Sequence, residues 1–72
     1  MSHFFLTVLR DWRKARADEL GQPAYCVFSD ATLSAISRAR PSRGADLASV
    51  PGVGPTKLDK FGAEVLALVA DS

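Results

Sequence analysis

The sequence predicts an all-helical fold, a compact bundle of four to five helices with a helix-hairpin-helix-like turn, on three observations. Apolar residues recur at intervals of three and four along most of the chain. Gly21, Pro41, Pro51 and Pro55 punctuate those runs. A single strand-like run, residues 25–28, has no second segment to pair with.

The first helix is expected over residues 3–20, with Phe5, Leu9, Trp12 and Leu20 at helical spacing and Leu6, Val8 and Ala17 beside them; Gly21 ends it. Residues 22–28, with Pro23 and the run Tyr25, Cys26, Val27, Phe28, read as a buried extended loop ending in a helical turn. Ser29 and Asp30 are suited to cap a second helix over residues 30–40, carried by Leu33 and Ile36 and stopped by Pro41. Residues 42–44 form a turn, and a short third helix over 45–50, anchored by Leu47 and Val50, stops before Pro51. Pro55 suits the first turn of a fourth helix with Leu58, Phe61, Val65, Leu66 and Val69 on its apolar face; Gly62 is expected to bend or split it.

Seventy-two residues, 47% of them hydrophobic and 24% charged, suit one domain with one small core rather than a disordered segment. Residues 4–72 read as that domain, and Met1 to His3 equally as an added tail or as native sequence. Nine basic residues against eight acidic give a net charge of +1, so nucleic-acid binding must come from a local patch. The lone Cys26 cannot form an internal disulfide, which fits a reducing cytoplasm, and the apolar stretch at Phe4 to Leu6 is too short for a signal peptide or a membrane span.

No catalytic pair can be assembled. The only histidine lies in the N-terminal tail, the only thiol sits in an apolar run where burial and low reactivity are expected, and Ser29 lacks a base. No metal site or cofactor is expected.

The most informative segment is residues 47–58, where Gly52, Val53 and Gly54 join one helix to the next. A tight glycine turn entering a helix directs free amides outward, where they can hold a phosphate oxygen. The same turn also serves geometry alone, with Val53 plugging the core. Lys57 and Lys60, three apart on the following helix, share a side and either extend the phosphate path or form a solvated face; Asp59 dilutes their field. Arg38, Arg40 and Arg43 around Pro41, and Arg10, Arg13, Lys14 and Arg16 on the first helix, could follow a backbone; Arg13 could equally lie along the core edge with its stem buried. Tyr25, made rigid by Pro23, could stack on an unpaired base or simply cover the core, while Trp12 reads as core.

Three segments in order, residues 9–13 (LRDWR), 23–33 (PAYCVFSDATL) and 47–62, ending KLDKFG, resemble the HRDC domain, found at the C-terminal end of RecQ-type DNA helicases and in ribonuclease D. The resemblance covers nearly the whole chain. It implies a five-helix bundle serving as an auxiliary nucleic-acid-binding domain that prefers single-stranded or branched DNA and tunes the substrate choice of a tethered helicase, RecQ-type first and UvrD-like second. The expected partners are that DNA, bound weakly, the helicase catalytic core in cis, and other HRDC units or repair proteins. The alternative is a protein-docking module with little DNA binding of its own, using an exposed apolar patch at Phe4 and Phe5.

Overall fold

The computed structural model describes residues 2–72, with side chains described from Phe4 onward. Met1 and the side chains of Ser2 and His3, the expected tail, lie outside the described residues. The first apolar stripe forms α1 (Ser2–Leu20), whose 19 residues span about 28 Å at 1.5 Å each. That matches the 28 Å long dimension of the molecule. Against α1 pack a single 3-10 turn (Ala24–Cys26), α2 (Asp30–Ala39) and α4 (Pro55–Asp71), while α3 (Gly44–Ala48) packs on α4. Among the described residues there is no strand.

All four α-helices and the loop before α2 contribute to one core. Phe5, Leu9 and Ala17 enter from α1, Val27 and Phe28 from the loop, Leu33 and Ile36 from α2, Leu47 from α3, and Phe61 and Val65 from α4. Trp12 is half-buried against that core, its ring 6.0 Å from Phe28 and 5.9 Å from Phe61, and the two phenyl rings meet edge to face at 5.8 Å. This trio is where α1, the loop and α4 converge.

The stops follow from backbone chemistry. Gly21, at φ 66°, donates to the Asp18 carbonyl and lets Gln22 donate to that of Ala17, which satisfies two orphan carbonyls of α1 in a Schellman arrangement. Leu20, expected on the buried stripe, is instead 45% exposed at the end of the helix. The loop also differs from expectation. Bonds from Cys26 N to Pro23 O and from Val27 N to Ala24 O tighten a 3-10 turn that buries none of its residues, so Cys26 is exposed rather than core and burial begins at Val27.

Ser29 caps α2 as expected, its hydroxyl accepting from the Thr32 amide at 3.2 Å. The short third helix begins at Gly44 and ends at Ala48, displaced toward the N-terminus from the expected 45–50, with Val50 held in the following turn by its bond to Leu47 O. Gly62 does not split α4, which is continuous from Pro55 to Asp71. It is buried, and a Cβ there would press on Leu58 of the same helix, 3.0 Å from its Cδ1, while lying at an ordinary 3.9 Å from Leu47 Cδ2 of α3.

Candidate nucleic-acid interface

The hairpin between α3 and α4 contains two glycines with different physical reasons. Gly52 has φ +91°, a left-handed conformation that disfavours any side chain, and a Cβ there would lie 2.0 Å from Thr32 Oγ1. The fold therefore requires glycine at 52. Gly54 is extended, at φ −87° and ψ 173°, with nothing within 4 Å of where a Cβ would stand. The fold makes no such demand at 54. Between them Val53 is buried and donates to Val50 O, the plug expected from sequence.

Gly54 is also the N-cap of α4, and no side chain caps it. Pro55 follows with no amide hydrogen, and the Leu58 amide donates back to Gly54 O at 2.9 Å. The amides of Thr56 and Lys57 belong to the first turn, where a helix supplies no internal acceptor and its dipole is positive. The start of α4 thus has no side-chain cap.

Two lysines flank it. The Lys57 ammonium lies 5.6 Å from the centroid of Phe28, its stem half-buried, and Lys60 is exposed about one turn further along. Among the described residues neither is ion-paired to a carboxylate. Tyr25 is 70% exposed in the 3-10 turn, three residues before Phe28, so its backbone lies within roughly 11 Å of that residue. Phe28 thus joins the tyrosine loop to the lysine end of α4.

The three arginines around Pro41 do not form one cluster. Arg38 lines a shallow groove of about 470 Å³ with Ala35, Ala39, Asp46, Ser49, Val50 and Pro51, beside the hairpin. Arg43 pairs with Asp46 at 3.6 Å. Arg40, the left-handed C-cap of α2 at φ 45°, stacks 4.7 Å from the centroid of Phe5 and donates to Ser72 Oγ at the opposite end of α4. The 17 residues of that helix put this end about 25 Å from the hairpin.

Most of the α1 cations are already engaged. Arg13 donates to Phe28 O at 2.9 Å and pairs with Asp30 at 2.8 Å, its side chain only 13% exposed, which is the core-edge placement. Lys14 pairs with Asp18, and Arg16 with Glu19 and Glu64. The hydrogen bond to Glu19 is the main influence raising the Arg16 pKa. Arg10 alone in this group is exposed without an ion pair among the described residues.

Two contacts escaped sequence reasoning. Glu64 Oε1 accepts from Trp12 Nε1 at 3.1 Å while lying 3.2 Å from Arg16 Nε, which pins α1 to α4. Thr32 Oγ1 donates to Pro51 O at 3.2 Å and lies 3.0 Å from Ser29 Oγ, which ties the start of α2 to the hairpin. Partners 52 and 19 residues apart leave no local signal. Among the described residues no group of His, Cys, Asp and Glu is placed to hold a metal, and no helix is long and apolar enough to cross a membrane.

A four-helix bundle built around an uncapped glycine hairpin is the class that this fold and site define. The chain belongs to the HRDC family: the family model described as the HRDC domain matches residues 5–69. It is similar to the ATP-dependent DNA helicase UvrD2 of Mycobacterium tuberculosis, at 45% identity over 64 residues, 89% of this chain and 9% of that protein. The ATP-dependent DNA helicase RecQ of Haemophilus influenzae is 38% identical over 63 residues, 88% of this chain and 10% of that protein. The chain therefore spans about a tenth of the length of these curated relatives. Among solved structures, D. radiodurans RecQ HRDC domain 3 superimposes with a TM-score of 0.94 at 31% identity, covering 99% of this chain and 93% of that one.

Proposed function

We propose that this domain is a non-catalytic accessory module of a bacterial cytoplasmic DNA helicase, and that it binds single-stranded or branched DNA weakly and without sequence preference. Such binding would modulate substrate choice and helicase activity in DNA repair and recombination. The family and its helicase relatives support the accessory role. The observation that carries the DNA reading is the uncapped start of α4 at Gly54, flanked by Lys57 and Lys60 with no carboxylate paired to either.

In this reading a phosphate sits on the amides of Gly52, Gly54 and the α4 start, the Val53 amide being already bonded to Val50 O, Lys57 and Lys60 neutralise the next phosphates, Arg38 extends the track along the α2 and α3 groove, and Tyr25 stacks on a base. With a net charge of +1 and few cations free, the affinity is low, and a tether to the helicase core compensates by raising local concentration. A chemical-shift titration with single-stranded oligonucleotides tests it. Shifts should concentrate at Tyr25, Arg38 and residues 52–60; no shifts at low salt and near-millimolar domain would reject it for this module.

A docking role on the helicase core, another HRDC unit or a repair protein is the second reading, favoured by Phe4, which is 72% exposed. Phe5, expected to share that patch, is buried beneath Arg40, so the patch cannot include it. A partner effect that survives loss of charge at Lys57 and Lys60 but not Phe4→Ser would favour docking.

A further inference from the structure

The structure assigns Thr32 as a positioning residue of the hairpin, setting the affinity of a site that it does not touch. The assignment rests on the DNA reading above for its consequence, and on geometry alone for its cause.

Thr32 is 95% removed from solvent, at 5% exposure, on the third residue of α2. Its hydroxyl has one proton, and that proton goes to Pro51 O at 3.2 Å. Ser29 Oγ, 3.0 Å away, must then donate to Thr32 Oγ1 while accepting from Thr32 N. The result is a directed chain from the Thr32 amide through both hydroxyls to the Pro51 carbonyl, in which each bond polarises the next. Pro51 precedes the one hairpin residue with a left-handed backbone, Gly52, and the space left by its missing Cβ is where Thr32 Oγ1 sits. Thr32 Cβ and Cγ2 lie 3.2 and 3.4 Å from that same point, so the whole threonine side chain packs against the bare Gly52 backbone.

The turn can therefore keep its geometry only while hydroxyl and glycine interlock. Fixing the Pro51 carbonyl and the Gly52 torsion fixes where Val53 enters the core and where Gly54 starts α4. Thr32 in this way holds the α4 amides in place for a ligand. By linkage, a ligand that orders the hairpin must also tighten the Ser29 and Thr32 cap.

The test compares Thr32→Val, which removes the hydroxyl at nearly constant shape, with Thr32→Ser, which keeps it. Each is titrated with labelled single-stranded oligonucleotide, and its hairpin amide shifts and helical circular dichroism are recorded without DNA. Thr32→Val should stay helical, move the Gly52, Val53 and Gly54 amide resonances, and bind roughly three- to tenfold more weakly, the range expected from one lost buried hydrogen bond. Thr32→Ser should return both shifts and affinity close to the parent. A helical Thr32→Val with parental shifts and affinity would overturn the assignment. If Thr32→Val does not fold, Thr32→Ser and Ser29→Ala decide it: Ser29→Ala, which breaks the chain one link earlier, must move the hairpin shifts, and its failure to do so overturns the assignment. Should the parent bind no oligonucleotide, the DNA reading falls alone, and unchanged hairpin shifts in Thr32→Val still overturn the positioning role.

Discussion

The ammonium of Lys57 lies over the ring of Phe28, 5.6 Å from its centroid, so the first cation of α4 is held by a core residue. Lys60 has no such support and is exposed. The two lysines should therefore respond differently to loss of charge. Lys57→Met should lower both DNA affinity and stability, the latter by about 0.5–1 kcal/mol for a partly exposed cation–π contact. Lys60→Met should lower affinity alone. Thermal melts alongside oligonucleotide titrations separate the two; equal melting temperatures for both variants would show that the ring contact contributes nothing.

The two hairpin glycines predict opposite outcomes. Gly52→Ala forces a side chain into a left-handed torsion and onto Thr32, and should cost upwards of about 1–3 kcal/mol from backbone strain alone. Gly54→Ser adds a capping hydroxyl where the structure has open space, and should raise stability by a few tenths of a kcal/mol. The same hydroxyl would occupy the α4 amides, so DNA binding should fall as the melting temperature rises. A serine variant that binds as well as the parent would move the phosphate away from this helix start.

The helices were legible because their stripes and stops are local. Leu9, Leu33, Ile36 and Val65 are fully buried as their spacing demanded, and Ser29 caps where its position before an apolar run required. The expectation failed where burial depends on a neighbour distant in sequence. Cys26 and Val27 are adjacent and both apolar, yet the 3-10 turn sends one outward and the other into the core. The candidate site can be read in the sequence as a segment and not as a surface. Nothing in the spacing of Arg38 and Arg40 says that one lies beside Pro51 and the other reaches Ser72.

Arg13 joins α1 to the loop through Phe28 O and Asp30. Arg13→Met keeps the buried stem but leaves that carbonyl without its charged donor, and should destabilise by about 1–3 kcal/mol. Arg13→Lys should restore little, because one ammonium cannot span both acceptors in a fixed fork. Denaturant melts of the three proteins check this. Since the loop carries Tyr25, Arg13→Met should also loosen that ring, which shows as sharper tyrosine resonances; an unchanged melt would mean that water replaces the guanidinium without cost.

Arg38 and Arg40, two residues apart, should have unrelated effects. Arg38 is exposed, pairs with no carboxylate among the described residues and lines the groove beside the hairpin, so Arg38→Ala should weaken DNA binding and leave stability within about 0.5 kcal/mol. Arg40 has its guanidinium engaged with Phe5 and with Ser72, which follows the end of α4 about 25 Å from the hairpin. Its left-handed backbone costs about 1 kcal/mol, which Arg40→Gly would relieve while losing the stacking contact. The two changes nearly cancel, so Arg40→Gly should sit close to the parent, whereas Arg40→Ala keeps the strain, loses the contact and should be the less stable of the pair. Neither Arg40 variant should alter DNA affinity. The salt dependence is the sharper measure: loss of Arg38 should reduce the slope of log K against log salt by about 0.7, one single-strand phosphate contact, and loss of Arg40 by nothing. A slope that falls with Arg40 and not with Arg38 would place the DNA at the opposite end of the bundle.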